Sequence, residues 1–144
     1  MPELVGYTSG VYDLFHVGHV HRIRRAKELC DRLIVGVSTD ECVSTFKSLP
    51  IIPFEQRIQI IGALRFVDLA VPQPHLDKYA MWSRLGFHLL IVGEEEDQRR
   101  HVRPYEEQLA QQGVRIVYQP RTPNVSTSQV IREVCERRCL TNRF

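Results

Sequence analysis

Two stretches, RLIVGVS (32–38) and FHLLIVG (87–93), are apolar almost without interruption. A strand with one wet face alternates apolar and polar residues. A strand that is apolar throughout is buried on both faces, which is the habit of parallel sheets. Three further runs, LVGYTSG (4–10), VDLAVPQ (67–73) and VRIVYQP (114–120), also read as strands.

Segments with helical spacing separate these runs. Val20, Ile23, Ala26 and Cys30 share one face, with arginine and lysine opposite. Pro53 suits the first turn of a helix reaching about Arg65, with Ile58, Ile61 and Leu64 on one face. Residues 77–85 and 104–112 read as helices, the second stopping at Gly113. Residues 39–52 and the charge run GEEEDQRRHVRP (93–104) read as loops. The last helix starts near Ser126, which forms a capping-box pattern with Gln129, and runs to about Arg138. The alternation has no repeat, low-complexity segment or linker. It predicts one α/β domain over residues 1–144: a three-layer, Rossmann-like fold with a five-stranded parallel sheet and right-handed crossovers.

Charge and cysteine content narrow the function classes. The net charge is +2, from 19 basic and 17 acidic residues, too even for a nucleic-acid or membrane-surface protein. No apolar run approaches the length of about 18 residues that a membrane span needs. MPELVGYTSG lacks the regions of a signal peptide, and the four cysteines form no C-x-x-C pair. Together these predict a cytoplasmic protein with reduced thiols.

Ligands of parallel sheets bind beyond the C-terminal strand ends, at the switch in strand order. Two polar stretches fall at such ends: the segment after the first strand, which holds His16, Gly18 and His19, and RTPNVSTS (121–128) after the fifth. The histidine spacing fits zinc poorly, because His16 and His19 straddle the helix entry and His21 points elsewhere. The bland alternative is that both histidines only cap the helix. Gly18 lets backbone approach a ligand, a helix N-terminus offers free N–H groups, and basic residues follow. Those features read as a phosphate cradle.

GVYDLFHVGH (10–19) resembles the H-x-G-H signature of the cytidylyltransferase branch of the nucleotidyltransferase superfamily. RTPNVSTS resembles that family's R-T-x-G-[IV]-S-T, and LIVGVSTDE, RFVD and IVGEE follow family segments in order. The resemblance spans about residues 5–134 and is nearest to the glycerol-3-phosphate cytidylyltransferases. It implies transfer of CMP from CTP to a small phosphomonoester, with release of pyrophosphate. An ATP-using adenylyltransferase of the same superfamily and a non-catalytic nucleotide-binding module are the alternatives.

The resemblance also implies residue roles. His16, His19, Lys47 and Arg121 would act on the reacting phosphates. Gly10, Val11, Tyr12, Gly18, Glu94, Arg121, Thr122, Ser126 and Thr127 would contact the nucleotide, with Glu94 or Glu95 reading the base. Asp13, Lys27 and Arg65 would support the site or face the acceptor. No protein metal ligand is expected, since Mg2+ would ride on the triphosphate. A homodimer is the family expectation. Three positions depart from the pattern: Val11 replaces threonine, Thr45 replaces a lysine, and Asn124 replaces the motif glycine. Asparagine is the best non-glycine residue for a turn at φ > 0. Tyr79 and Trp82 could form an aromatic box for a cationic acceptor, or belong to the core.

Overall fold

The computed structural model describes residues 2–123 and 125–141. Asn124 therefore lies outside the described residues. The strands are β1 (Val5–Gly10), β2 (Arg32–Ser38), β3 (Leu69–Gln73), β4 (Leu89–Gly93) and β5 (Arg115–Gln119). They form one five-stranded sheet in the order β3-β2-β1-β4-β5, and every pairing is parallel. The α/β architecture and five-stranded parallel sheet expected from the apolar runs are what the structure shows.

Side chains leave each strand alternately, so β2 and β4 feed two cores. Leu33, Val35, Val37, Leu89 and Ile91 pack against Ile23 and Ala26 of α1 (Val17–Glu28) and Ile61 of α3 (Phe54–Gly62). Ile34, Leu90 and Val92 pack on the other side against Met81 of α4 (Lys78–Leu85) and Leu109 of α6 (Glu106–Gln111). Helices therefore cover both faces, making three layers. Tyr79 and Trp82 pack against this second core, which accounts for both rings without a ligand.

Two helices stand where the sequence predicts loops. α2 (Asp40–Ser44) is capped by Thr39, whose side chain accepts from the Cys42 N–H. α5 (Glu96–Val102) comes from the charge run, with Glu96 and Asp97 in its first turn and Arg99, Arg100 and His101 in its last. That order matches the helix dipole at both ends. A 3-10 turn at Arg103–Tyr105 leads into α6, so the helix expected over 104–112 starts later. α7 (Thr127–Thr141) closes the chain.

One buried arginine ties the C-terminal strand ends together. Arg57 of α3 is 0% exposed. Its guanidinium donates to the carbonyls of Val11, Ser38 and Ile52 at 2.7–2.9 Å and to Asp40 Oδ1 at 2.7 Å. Asp13 complements it by accepting from the Ile51 and Ile52 N–H groups at 2.8 and 2.9 Å. The end of β1, the end of β2 and the loop before α3 are thereby one hydrogen-bonded unit. Arg57→Met would strand three carbonyls, and should lower the unfolding free energy by about 3–5 kcal/mol. Urea denaturation checks this: the midpoint should fall at unchanged slope, and a shift worth under about 1 kcal/mol would contradict it.

Candidate active site

The sheet opens at its switch point. β1 and β2 stay in register from Val5↔Arg32 to Gly10↔Val37, whereas β1 and β4 pair only at Gly6↔Leu89 and Tyr7↔Leu90. Beyond Tyr7 the ladder between β1 and β4 ends, and the loop into α1 enters there. Tyr12 (φ 57°) and Leu14 (φ 47°) both take left-handed backbone in this loop. Such residues persist where the surroundings hold them, and here Asp13 and Arg57 do so on either side. Gly10 has a steric reason as well: a Cβ there would lie 2.9 Å from the buried Tyr12 ring.

The two histidines form a capping box for α1. His16 is the N-cap, and its Nδ1 accepts from the Gly18 N–H at 3.1 Å. His19, three residues on, accepts at Nδ1 from the His16 N–H at 3.2 Å. An imidazole nitrogen that accepts carries no proton, so in the neutral ring the proton sits on Nε2. Capping thus fixes the tautomer and leaves an Nε2–H donor on each ring. The rings stack with centroids 3.8 Å apart, and Phe15 also stacks on His19 at 5.3 Å. Burial lowers the His16 pKa. Burial, followed by the nearby His16, Arg22 and Lys47, pushes His19 down to about 3. Gly18 makes room for the His16 ring, since a Cβ would lie 2.9 Å from its Cε1. The sequence reading reserves that space for a ligand, but the histidine takes it.

The N-terminus of α7 meets this box directly. Thr127 Oγ1 donates to the Asp13 carbonyl at 2.9 Å, so its hydroxyl proton is already used. Ser126 Oγ accepts from the Gln129 N–H at 3.1 Å, which caps the helix and leaves the hydroxyl free to donate. The two motifs wall a cleft of about 370 Å³ that includes His16, Gly18, His19, Lys47, Arg121, Thr122, Ser126 and Thr127. Thr122 Oγ1 is buried there with no hydrogen-bond partner in the protein, a polar atom suited to a ligand. Lys47 is exposed at the rim.

Arg22, on the helix turn after His19, is a cleft residue that the sequence reading misses. Its Nη2 bridges both carboxylate oxygens of Glu95 at 3.0 and 3.1 Å. Gly93 permits the pair, because a Cβ would lie 2.3 Å from either partner. Of the two candidates for reading the base, Glu95 lines the cleft, whereas Glu94 is exposed and does not. Among the described residues no three His, Cys, Asp or Glu side chains gather as metal ligands.

Lys27 and Arg65 lie away from the cleft. Lys27 is about 12 Å further along α1 than His19, where it pairs with Asp68 just before β3. Arg65 is exposed beyond the end of α3 and stacks on Phe66. α1 runs back along the sheet, so its last turn faces the wrong strand ends. A second cleft of about 280 Å³ adjoins the first and shares Lys47, Asp97 and Gln98 with it. Gly10 and Val11 line this second cleft, and Tyr12 is buried in the α1-side core.

A parallel sheet opened at its switch point thus brings the imidazole pair and the N-terminus of α7 to one cleft, the arrangement that the H-x-G-H resemblance implies for a nucleotidyltransferase. Comparison with known proteins makes this specific: the chain belongs to the cytidylyltransferase-like family, whose profile matches residues 7–133. The FAD synthase of Thermococcus kodakarensis is 33% identical over 138 residues, covering 91% of each chain. That of Methanosarcina barkeri is 34% identical over 134 residues, covering 90% of this chain and 94% of its own. Among solved structures, a lipopolysaccharide core biosynthesis protein from Thermoplasma volcanium superposes with a TM-score of 0.71 at 20% identity. It covers 84% of this chain and 98% of its own length, and shows the same fold.

These relatives overturn one expectation. FAD is flavin joined to AMP, so an FAD synthase installs an adenylyl group. The expected transfer of CMP from CTP to a glycerol 3-phosphate-like acceptor does not stand beside full-length FAD synthases at this identity.

The capping geometry makes a prediction. In the free protein, nitrogen-15 NMR should show both rings as the Nε2–H tautomer, with His19 not titrating between pH 5 and 8. A His19 midpoint near the ordinary value of about 6.5 would contradict the box.

Proposed function

We propose that the protein is an ATP-dependent adenylyltransferase that makes FAD from FMN, releasing pyrophosphate. Full-length similarity to FAD synthases carries this reading. The FMN phosphate is already anionic, so no protein nucleophile or strong base is required. One of its oxygens attacks the α-phosphorus of ATP, the bond to the bridging oxygen breaks, and pyrophosphate leaves with that electron pair. The protein's task is alignment and charge neutralisation.

His16 and His19 suit the centre of that reaction, since each presents an Nε2–H to the α-phosphate and its bridging oxygen. Being neutral, they stabilise charge as it builds without having to lose a proton first. Ser126 and the N-terminus of α7 receive the β- and γ-phosphates. Arg121 and Lys47 add positive charge on either side of the leaving group. Thr122, with its unpartnered buried hydroxyl, supplies a further nucleotide contact. Glu95 is already engaged by Arg22, so a magnesium ion would arrive on the triphosphate with water completing its shell. When bound, it would neutralise charge on the phosphate oxygens.

Incubation with FMN, magnesium and either ATP or CTP, followed by chromatography of the flavins, tests this. FAD should form with ATP. His16→Ala should lower kcat by about 10²–10³, the usual cost of losing one preorganised donor. Absence of FAD, or flavin turnover with CTP in preference to ATP, would overturn the reading.

A further inference from the structure

The capping bond holds the His19 imidazole at Nδ1 alone. A ring tethered at one nitrogen can still pivot about that point, so its neighbours decide where Nε2 points. His19 stacks on His16 at 3.8 Å and on Phe15 at 5.3 Å, with planes 22° and 23° apart. Tyr12 meets it edge to face, with centroids 5.5 Å apart and planes at 75°. The stacked rings fix the tilt of the imidazole, and a ring set across them blocks the pivot. The chain accepts strain to put Tyr12 there. Its backbone is left-handed at φ 57°, which is unfavourable for a residue with a bulky side chain. Its ring, 5% exposed, fills the space that Gly10 leaves open, since a Cβ on Gly10 would lie 2.9 Å from Tyr12 Cζ. The phenol hydroxyl is buried without a hydrogen-bond partner, so phenylalanine would satisfy the packing at least as well. Burial pushes the phenol up to about 12, so it holds its proton at neutral pH. Position 12 therefore supplies a ring, and neither a charge nor a proton.

We propose that Tyr12 is a positioning residue for His19: its ring holds the imidazole plane that aims the Nε2–H into the cleft. Tyr12 acts through the histidine and not on the nucleotide. Gly10, Tyr12 and His19 then form one mechanical unit: Gly10 clears the space, Tyr12 fills it, and His19 rests against the ring. The charged and titratable groups around His19 are His16 and Arg22 on α1, Lys47 after α2, and Asp13. None of them is altered by a substitution at position 12, so a change in His19 there reports the ring. That the donor acts on the α-phosphate rests on the adenylyl-transfer reading; the contact that holds the imidazole does not.

Nitrogen-15 NMR of His19 with and without ATP, together with the kinetics of FAD formation, tests this. Tyr12→Leu should free the ring: His19 should show both tautomers, and its midpoint should rise toward the ordinary value of about 6.5 as water enters. ATP should shift the His19 Nε2 resonance in wild type and shift it less in Tyr12→Leu. The kcat should fall about tenfold or more, up to the 10²–10³ cost of losing the donor outright, while KM for ATP stays nearly unchanged. Tyr12→Phe keeps the ring and should restore all of these readings. Where Tyr12→Leu does not fold, Gly10→Ala takes its place, because it displaces the ring without removing it and should move the His19 signals in the same sense. A folded Tyr12→Leu or Gly10→Ala whose His19 keeps the single tautomer overturns the assignment. So does a loss of activity carried wholly by KM, or a Tyr12→Phe that behaves like Tyr12→Leu. Should wild type make no FAD while ATP shifts His19 more strongly with a ring at position 12, the positioning role stands and the adenylyl-transfer reading falls. Should FAD form while Tyr12→Leu keeps the wild-type tautomer and kcat, the reverse holds.

Discussion

The site depends on a clasp made by one buried arginine and one aspartate. Parallel strands end in free carbonyls, and loops leaving them would wander unless something gathered them. Arg57 does so from beneath, holding carbonyls from β1's exit, β2's exit and the loop before α3. Asp13 does so from above through two backbone N–H groups of that same loop. Between them they hold Tyr12 and Leu14 in left-handed backbone and set where α1 begins. The position of His16 follows from that start. The carbonyl of Asp13 also anchors Thr127, so the same residue joins the first motif to the second.

Capping and ligand binding are usually weighed as rival explanations for a histidine at a helix entry. Here capping itself leaves each ring with a donor to spare. Each ring spends Nδ1 on a backbone N–H and is left with one donor on the opposite nitrogen. Burial lowers both pKa values, for His19 with help from the neighbouring His16, Arg22 and Lys47, so the entry to α1 presents two hydrogen-bond donors rather than two cations. Positive charge around the cleft comes from Arg121, Lys47 and Arg22. Arg22 is held meanwhile by Glu95, which stops its charge from collapsing onto a neighbour.

Much of this was legible in the residues because it follows from periodicity. Strands buried on both faces announce themselves as unbroken apolar runs, and β2 and β4 lie where those runs are. α5 was missed because a charge run resembles a loop, although acids first and bases last is a helix signature. Arg57 escaped notice for a different reason. It shares a face with Ile61, one turn on, and a charged residue on an apolar face was the available signal. Lys27 and Arg65 suggest themselves by charge and by motif neighbours, and only the direction of the helices shows that they lie toward the opposite end of the sheet. The base was illegible because the resemblance assigns both motifs to phosphate, and ATP and CTP carry the same triphosphate. The contact of Tyr12 on His19 could not be found from the sequence, since the left-handed backbone at Tyr12 shows only in the fold.

A crystal structure with a non-hydrolysable ATP analogue tests the central claim most directly. The account predicts one polyanion spanning the cleft, its α-phosphate within hydrogen-bond reach of Nε2 on His16 or His19 and its terminal phosphates at Ser126. An analogue bound with its phosphates away from the imidazoles, or with either ring turned so that Nε2 caps the helix and Nδ1 faces the ligand, would contradict it.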